Sequence, residues 1–256
     1  MASRLLGLAV LTLSFLLAAV ILWPASALSP WVEKFSNDHW RLANLEGSVW
    51  NGSGMLLTRS DKSDSWHIAQ SIGWKLRWSD LWRGLIVVVA TLDKGSLQMA
   101  ISAEGLNFER LDASLPAPAL LVLLPGALGR YGWGGNLHLR SDAFRCAWHA
   151  YSCEGEMELI WNDAEVAEIP GNKLGDYRFR LFGEKQALHV DLTTLGGRLQ
   201  FNGVGEIAAR GLRFSGEAAA VGRDAANLGA MLNTLGRRTR TPGKYLIEFR
   251  EKGVTR

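Results

Sequence analysis

Residues 177–192 read YRFRLFGEKQALHVDL. Apolar and polar side chains alternate in Tyr177–Leu181 and again in Leu188–Leu192. Alternation with a period of two places the apolar side chains on one face of a β-strand and the polar ones on the other. The stretch therefore predicts two consecutive strands, each with one buried face and one face in water.

The same pattern recurs along the chain, at 74–78, 135–140 and 245–249. Leu85–Ala90 is instead a continuous apolar run rich in β-branched residues, which predicts a strand buried on both faces. Several strands begin at a glycine, where a bulge or bend is permitted: Gly95, Gly134, Gly155 and Gly196. We therefore expect an all-β fold built on a curved, mainly antiparallel sheet.

Two segments break the strand pattern and predict two short helices. Leu115–Leu124 begins with prolines, continues with leucines and is followed by Pro125 and Gly126, as in a short buried helix. Asp224–Leu235 has an N-cap candidate, apolar residues on one face and Gly236 as a stop signal. We expect this second helix to pack on the sheet or to close its end.

The N-terminal segment is the most apolar part of the sequence. Residues 1–4 contain one arginine, and the stretch from Leu5 to Trp23 carries no charge. At ~1.5 Å per residue it would form a helix of about 28 Å, near the thickness of the bilayer core. We interpret residues 1–4 as a cytoplasmic tip, 5–23 as a transmembrane anchor and 24–256 as one exported β domain. The alternative is a cleaved signal, because Ala25–Ala27 resembles a cleavage site.

Two cysteines, Cys146 and Cys153, lie close together in the exported part. In an oxidising compartment such a pair usually forms a disulfide. The alternative is two free buried thiols. A metal site is not expected, because His149 between the two cysteines does not complete a set of four ligands.

The charge is nearly balanced, with a formal net charge of +3. Nucleic-acid binding is therefore not expected. The basic excess is partly local, in Arg237, Arg238, Arg240 and Lys244. This cluster is either a solvated loop or a contact with phospholipid headgroups or with an acidic partner.

The sequence contains no recognisable catalytic motif. No phosphate-binding loop or nucleophile elbow is present, and Gly203–Gly205 lies within the strand pattern rather than before a helix. The histidines lack metal-binding helical spacing: His39, His67, His138, His149 and His189. We expect neither an enzyme nor a cofactor.

The segment Leu45–Gly54, LEGSVWNGSG, is the most specific motif of the chain. It resembles the opening of the periplasmic part of the type II secretion system protein N family. The glycine-bounded strand 196–205, the strand 212–218 and the closing segment 228–245 are similar to that family in the same order. The resemblance covers nearly the whole chain.

The resemblance implies a non-enzymatic, single-pass inner-membrane protein with a periplasmic β domain. Such a protein would contact other inner-membrane and periplasmic components of the machinery that exports folded proteins across the outer membrane. Trp50 would be a core or groove aromatic, and the sheet an open half-barrel like that of AsmA-type proteins. The resemblance also implies that Gly47 and Gly52 are turn positions. It implies structural roles for four further glycines: Gly197, Gly203, Gly216 and Gly236.

Two functional hypotheses follow. In the first, exposed sheet edges receive a strand of a partner protein, and the domain is a scaffold. In the second, the concave face of the bent sheet shields the acyl chain of a lipid. The 11 tryptophans suit an apolar groove and an ordinary core equally well.

Overall fold

The computed structural model describes residues 2–59, 65–122, 132–148, 152–166, 173–184, 186–208, 211–222, 228–229, 232–233 and 236–252. Within these residues, 15 strands form one sheet and all paired strands are antiparallel. The predicted mainly antiparallel all-β fold is therefore confirmed.

The strands follow one another along the sheet almost in chain order. They are β1 (Trp40–Gly47), β2 (Asn51–Thr58), β3 (His67–Arg77), β4 (Ile86–Leu92), β5 (Gly95–Ile101), β6 (Gly105–Pro116), β7 (Trp133–Ser141), β8 (Phe144–Ala147), β9 (Cys153–Val166), β10 (Gly175–Glu184), β11 (Ala187–Gly197), β12 (Leu199–Ala208), β13 (Gly211–Ala220), β14 (Arg237–Arg238) and β15 (Lys244–Lys252).

Two strands depart from chain order. β8 lies in line with β7, because β7 pairs with one half of β6 and β8 with the other half. β14 lies outside β15, so that β15 is inserted between β13 and β14. Within the described part of the chain, β1 and β14 are the two outermost strands of the sheet.

The helices are short except for the first. They are α1 (Ala2–Ile21), a 3-10 turn (Ala25–Leu28), α2 (Ser29–Phe35), α3 (Trp78–Leu81) and α4 (Ala117–Leu121). The predicted helix Leu115–Leu124 is wrong at its start, because Leu115 and Pro116 still pair with β7 and end β6. Leu123 and Leu124 lie outside the described residues.

The second predicted helix covers the sheet. Leu228, Gly229, Leu232 and Asn233 are helical, whereas Asp224 and Leu235 lie outside the described residues. The side chains of Leu228 and Leu232 are buried in the core. The backbone N–H of Gly236 donates to the carbonyl of Leu232, 2.9 Å away, as at the end of a helix.

The main core lies on one face of the sheet, which we call the inner face. Its buried residues from β7 to β15 include Leu137, Trp161, Tyr177, Leu199 and Tyr245, in one cluster with Ala117 of α4 and with Leu228 and Leu232. Residues that pair directly across two strands share a face, as Trp161 and Tyr177 do. Alternation along each strand therefore produces this core, and the polar residues occupy the opposite, outer face.

The sheet curves around the inner face. The indole N–H of Trp40 in β1 donates to the carbonyl of Ala119 in α4, 2.7 Å away. Four strands lie between β1 and β6, which precedes α4, and the five flat inter-strand steps would span about 24 Å. The hydrogen bond therefore requires a bent sheet, as expected from the sequence.

The strand predicted at Leu85–Ala90 is not buried on both faces. In β4, Val87 and Ala90 are buried, Val88 and Val89 are half-buried, and Ile86 is exposed. The short helix α3 packs against this strand, and among the described residues neither face of β4 is buried along its whole length. The β-branched composition identified a strand correctly but overstated its burial.

The predicted disulfide is present between Cys146 and Cys153. The two residues pair directly across β8 and β9, with their Cα atoms 4.1 Å apart. The predicted anchor Leu5–Trp23 coincides with α1 and the two residues after it. Among the residues that the structure describes, no helix reaches both the length and the mean hydropathy of a membrane span.

Candidate interaction surfaces

The motif Leu45–Gly54 forms the turn between β1 and β2 and contacts the end of α1. The indole N–H of Trp50 donates to the carbonyl of Val20, 2.7 Å away, and the backbone N–H of Val49 donates to the carbonyl of Trp23 at 2.9 Å. The carbonyls at a helix C-terminus lack partners within the helix. The turn supplies partners to this end of α1 and joins it to the sheet.

Three features hold this turn in shape. Gly47 has a φ of +84°, and a Cβ there would lie 2.5 Å from the carbonyl oxygen of Asn51. The ring of Trp50 packs against that of Trp78, with centroids 3.9 Å apart. A Cβ on Gly52 would lie 2.7 Å from the indole of Trp74. The motif glycines thus occupy sites where a side chain does not fit.

The other motif glycines lie where two backbones approach closely. Gly203 and Gly216 pair directly between β12 and β13, and a Cβ on Gly203 would lie 2.8 Å from the Cα of Gly216. Gly197 faces Gly175 at the end of β11, and Gly236 faces the carbonyl of Leu246. These glycines shape the inner face and its C-terminal end, away from the Trp50 turn.

The edge of β1 is covered by the segment that precedes it. The hydroxyl of Ser36, which is 1% exposed, accepts from the backbone N–H of Trp40 at 2.9 Å. The hydroxyl of Ser29 donates to the carbonyl of Leu42 at 3.0 Å, and Arg41 forms an ion pair with Glu33. We call this side of β1 the covered edge, since Ser36 and Ser29 supply partners to the outward N–H of Trp40 and carbonyl of Leu42.

The opposite edge of the sheet is only partly paired. β14 pairs with β15 at two positions, Arg237 with Leu246 and Arg238 with Tyr245. Beyond them, no strand in the described part of the chain pairs with the outer side of β15 from Ile247 to Lys252. We call this side of residues 247–252 the open edge. An unpaired edge presents rows of N–H and C=O groups that can accept another strand.

Two arginines lie on the outer face beside the open edge, although residues 247–252 also include Glu248 and Glu251. Arg213 and Arg250 pair directly across β13 and β15, and both side chains point to the outer face and are exposed. Glu248 forms an ion pair with Arg237, and Lys244 one with Glu217. Of the predicted basic cluster, Arg237 and Arg238 form β14 and Lys244 begins β15, so the cluster lies beside the paired part of this edge.

The middle of the outer face carries neutralised charges instead. Arg178 and Arg180 of β10 form ion pairs with Glu158 and Glu156 of β9, at 2.9 and 2.7 Å. The hydrogen bond and the charge of Glu156 raise the pKa of Arg180. This ladder of cross-strand pairs stabilises the outer face and leaves few free charges for a partner.

The described residues contain no cluster of three or more metal-ligating side chains. His138 bonds to the hydroxyl of Ser114, and His189 stacks on Phe182 in the next strand. His39 contacts the carbonyl of Ser36, and His67 the hydroxyl of Ser65. His149 lies outside the described residues. These histidines act as strand and turn residues.

One buried titratable group belongs to the core rather than to a reactive site. Burial raises the pKa of the Tyr177 hydroxyl well above its usual value. The hydroxyl donates to the carbonyl of Leu199, 2.8 Å away. The phenol therefore stays neutral and links β10 to β12.

Sequence reasoning identified the basic cluster and the Trp50 motif but missed Ser29 and Ser36. Each serine lies within or just after a short helix, and its role depends on where β1 lies in space. Ser36 follows the apolar and aromatic residues of α2 directly and precedes β1 by four positions. A serine at a helix end before an edge strand is the only local signal that could have pointed to it.

Comparison with known proteins identifies the family of the chain. A family model described as type II secretion system (T2SS), protein N, matches residues 38–248. No curated protein and no solved structure matches the chain. The matched region runs from just before β1 into β15 and contains the Trp50 turn and β14, whereas Arg250 lies beyond it. The chain therefore belongs to the type II secretion system protein N family.

Proposed function

We propose that this protein is a non-enzymatic component of the type II secretion machinery, held at the inner membrane by its N-terminal segment. Its β domain contributes protein–protein contacts in the periplasm to the export of folded proteins. Family membership supports the secretion role and the location in the cell envelope. The observation that carries the proposed contact is the open edge of β15, which belongs to a sheet whose other edge is covered.

The anchoring part of the proposal rests on the N-terminal segment. α1 extends over 20 residues, and its apolar side chains Leu11, Leu13 and Phe15 are each about 70% exposed. Exposed apolar side chains on a helix favour a lipid environment. Trp23 and Trp31 follow the helix and are exposed, as aromatic residues at a membrane interface would be.

The test is photo-crosslinking in cells that carry the secretion system. A photoreactive residue replaces Glu248 on β15, and matched variants carry it at Arg178, in the ion-pair ladder, or at Arg41 beside the covered edge. We expect adducts with other secretion components at position 248 and few at the other two. Adducts only with unrelated envelope proteins would overturn the proposal.

A second candidate function is the binding or transfer of a hydrophobic ligand in the manner expected of AsmA-type proteins. Met157, Leu181 and Val190 continue the inner face beyond the core cluster, pair side by side and are only half-buried. An acyl chain would cover them. Mass spectrometry of lipid extracted from the purified chain tests this function. A defined lipid near one per chain supports it, and only the bulk lipid mixture of the membrane argues against it.

A further inference from the structure

We propose that the open edge of β15 binds an extended segment of another secretion component as an added strand, and that this segment alternates acidic and apolar residues. The inference rests on the proposed function, because the partner is taken to be a component of the same machinery. It adds the chemistry of the partner, which family membership does not supply.

The backbone of β15 is oriented for strand addition. The N–H and C=O groups of alternate residues in a strand point to the same side. The carbonyl of Lys244 accepts from the N–H of Thr239, on the β14 side. The backbone groups of Glu248 and Arg250 therefore also point to that side, where the described residues contain no strand to pair with them.

The charges on the outer face beside this edge favour an acidic partner. Arg213 and Arg250 lie directly opposite each other, and like charges in this position repel. Neither guanidinium forms an ion pair within the described residues, although Glu206 lies across from Arg213. Glu248 is neutralised by Arg237. A carboxylate on an added strand would lie next to Arg250 and offset the repulsion.

The inner face of the same edge is apolar at Ile247 and Phe249. Ile247 packs against the core cluster, and Phe249 follows on the same face with 38% of its surface exposed. An added strand directs alternate side chains to opposite faces. Side chains beside Arg250 would be acidic, and those beside Phe249 would be apolar. The alternation of the partner follows from the alternation of β15 itself.

A strand fits this edge better than an anionic lipid headgroup. A phosphate could accept from the arginines and from the free N–H groups. It would leave the carbonyls of Glu248 and Arg250 without donors. An extended peptide supplies N–H and C=O groups in the same alternation and satisfies both.

The binding test uses the purified full chain in detergent. The probe is a fluorescent decapeptide alternating glutamate and valine, and its counterpart replaces every glutamate by lysine. We expect the acidic peptide to bind and the basic one to bind at least about tenfold more weakly. Binding of the acidic peptide should weaken as salt increases, because exposed charges are screened.

Four variants test separately how the backbone N–H and the charge of this edge contribute to peptide binding. Glu248→Pro removes an edge-facing N–H and should weaken binding at least about tenfold, whereas Glu248→Ala keeps that N–H and should stay within about threefold of the unsubstituted chain. Arg250→Glu should abolish the preference for the acidic peptide. Arg145→Glu, at an exposed position on β8, is the control and should change nothing.

Three results would overturn the inference: no binding of the acidic peptide, equal binding of both peptides, or full binding by Glu248→Pro. Binding of phosphatidylglycerol vesicles with the same dependence on Arg250, and no peptide binding, would assign the edge to a membrane instead.

If position 248 crosslinks to secretion components while the peptide fails to bind, the proposed function stands and this inference alone fails. If the peptide binds and no such crosslinks form, the proposed function fails.

Discussion

The two edges of the sheet differ in whether their outward backbone groups have partners. At the covered edge, Ser29 and Ser36 from the α2 segment bond to the outward backbone groups of Leu42 and Trp40. At the open edge, β14 occupies only two positions beside β15. Proteins usually blunt exposed strand edges, because these attract other chains. Within the described residues, the sheet thus protects one edge and leaves the other largely without a paired strand, as the proposed partner binding requires.

The location of the two edges adds to this contrast. The covered edge lies beside α1 and the Trp50 turn, so its cover is part of the connection between the N-terminal segment and the sheet. The open edge lies at the other end of the strand order, after β13. The contact with the N-terminal segment and the proposed binding surface therefore lie at opposite ends of the strand order.

The largest effect should come from proline at two adjacent positions of β15. Phe249→Pro removes an N–H that points toward β13 and should lower the free energy of unfolding by about 3 kcal/mol. Glu248→Pro removes an N–H that points outward and should cost less than about 1 kcal/mol. Urea unfolding of the full chain measures both. Equal losses would mean that both sides of β15 are paired and that the edge is not open.

A smaller effect should follow from uncovering β1. Ser36→Ala leaves the N–H of Trp40 buried without an acceptor and should cost about 1–3 kcal/mol. Ser29→Ala, at a half-buried site, should cost no more than about 1 kcal/mol. Hydrogen exchange at Trp40 and Leu42 should accelerate in the first variant. Unchanged protection there would show that α2 does not seal this edge.

The smallest effect concerns the connection between α1 and the sheet. Trp50→Phe removes the hydrogen bond to the carbonyl of Val20 and keeps an aromatic ring beside Trp78. We expect a loss of about 1 kcal/mol in unfolding free energy. Limited proteolysis after residues 22–28 should become faster, while peptide binding at the open edge stays unchanged. A change in that binding would show that the two edges are coupled.

The sequence predicted strands well because each strand carries its own pattern. Alternation at 177–181 and 188–192 corresponds to β10 and β11, and the structure pairs the two strands. The disulfide was also predictable, because Cys146 and Cys153 are close in the chain. Leu115 and Pro116 were assigned to a helix, because an apolar run that begins with proline is compatible with both the end of a strand and the start of a helix. The neighbouring strand β7 decides between them.

The candidate surfaces were predictable only in part. The basic residues around Arg237 stood out in the sequence, but their position beside an unpaired strand did not. The covering role of Ser36 and the outward direction of Glu248 depend on which strands lie at the ends of the sheet. That order is a property of the whole fold, and no local pattern encodes it.

The meander order also sets a route for folding. From β1 to β13 the strands follow chain order along the sheet, except that β7 and β8 share one position between β6 and β9. Such local pairing is fast, because each loop closure is short. A chain that folds from its N-terminus can therefore add strands one at a time, and each new strand covers the edge left by the last. β15 breaks this rule, since it must insert between β13 and the earlier β14. The edge that we propose to bind a partner is consequently completed last.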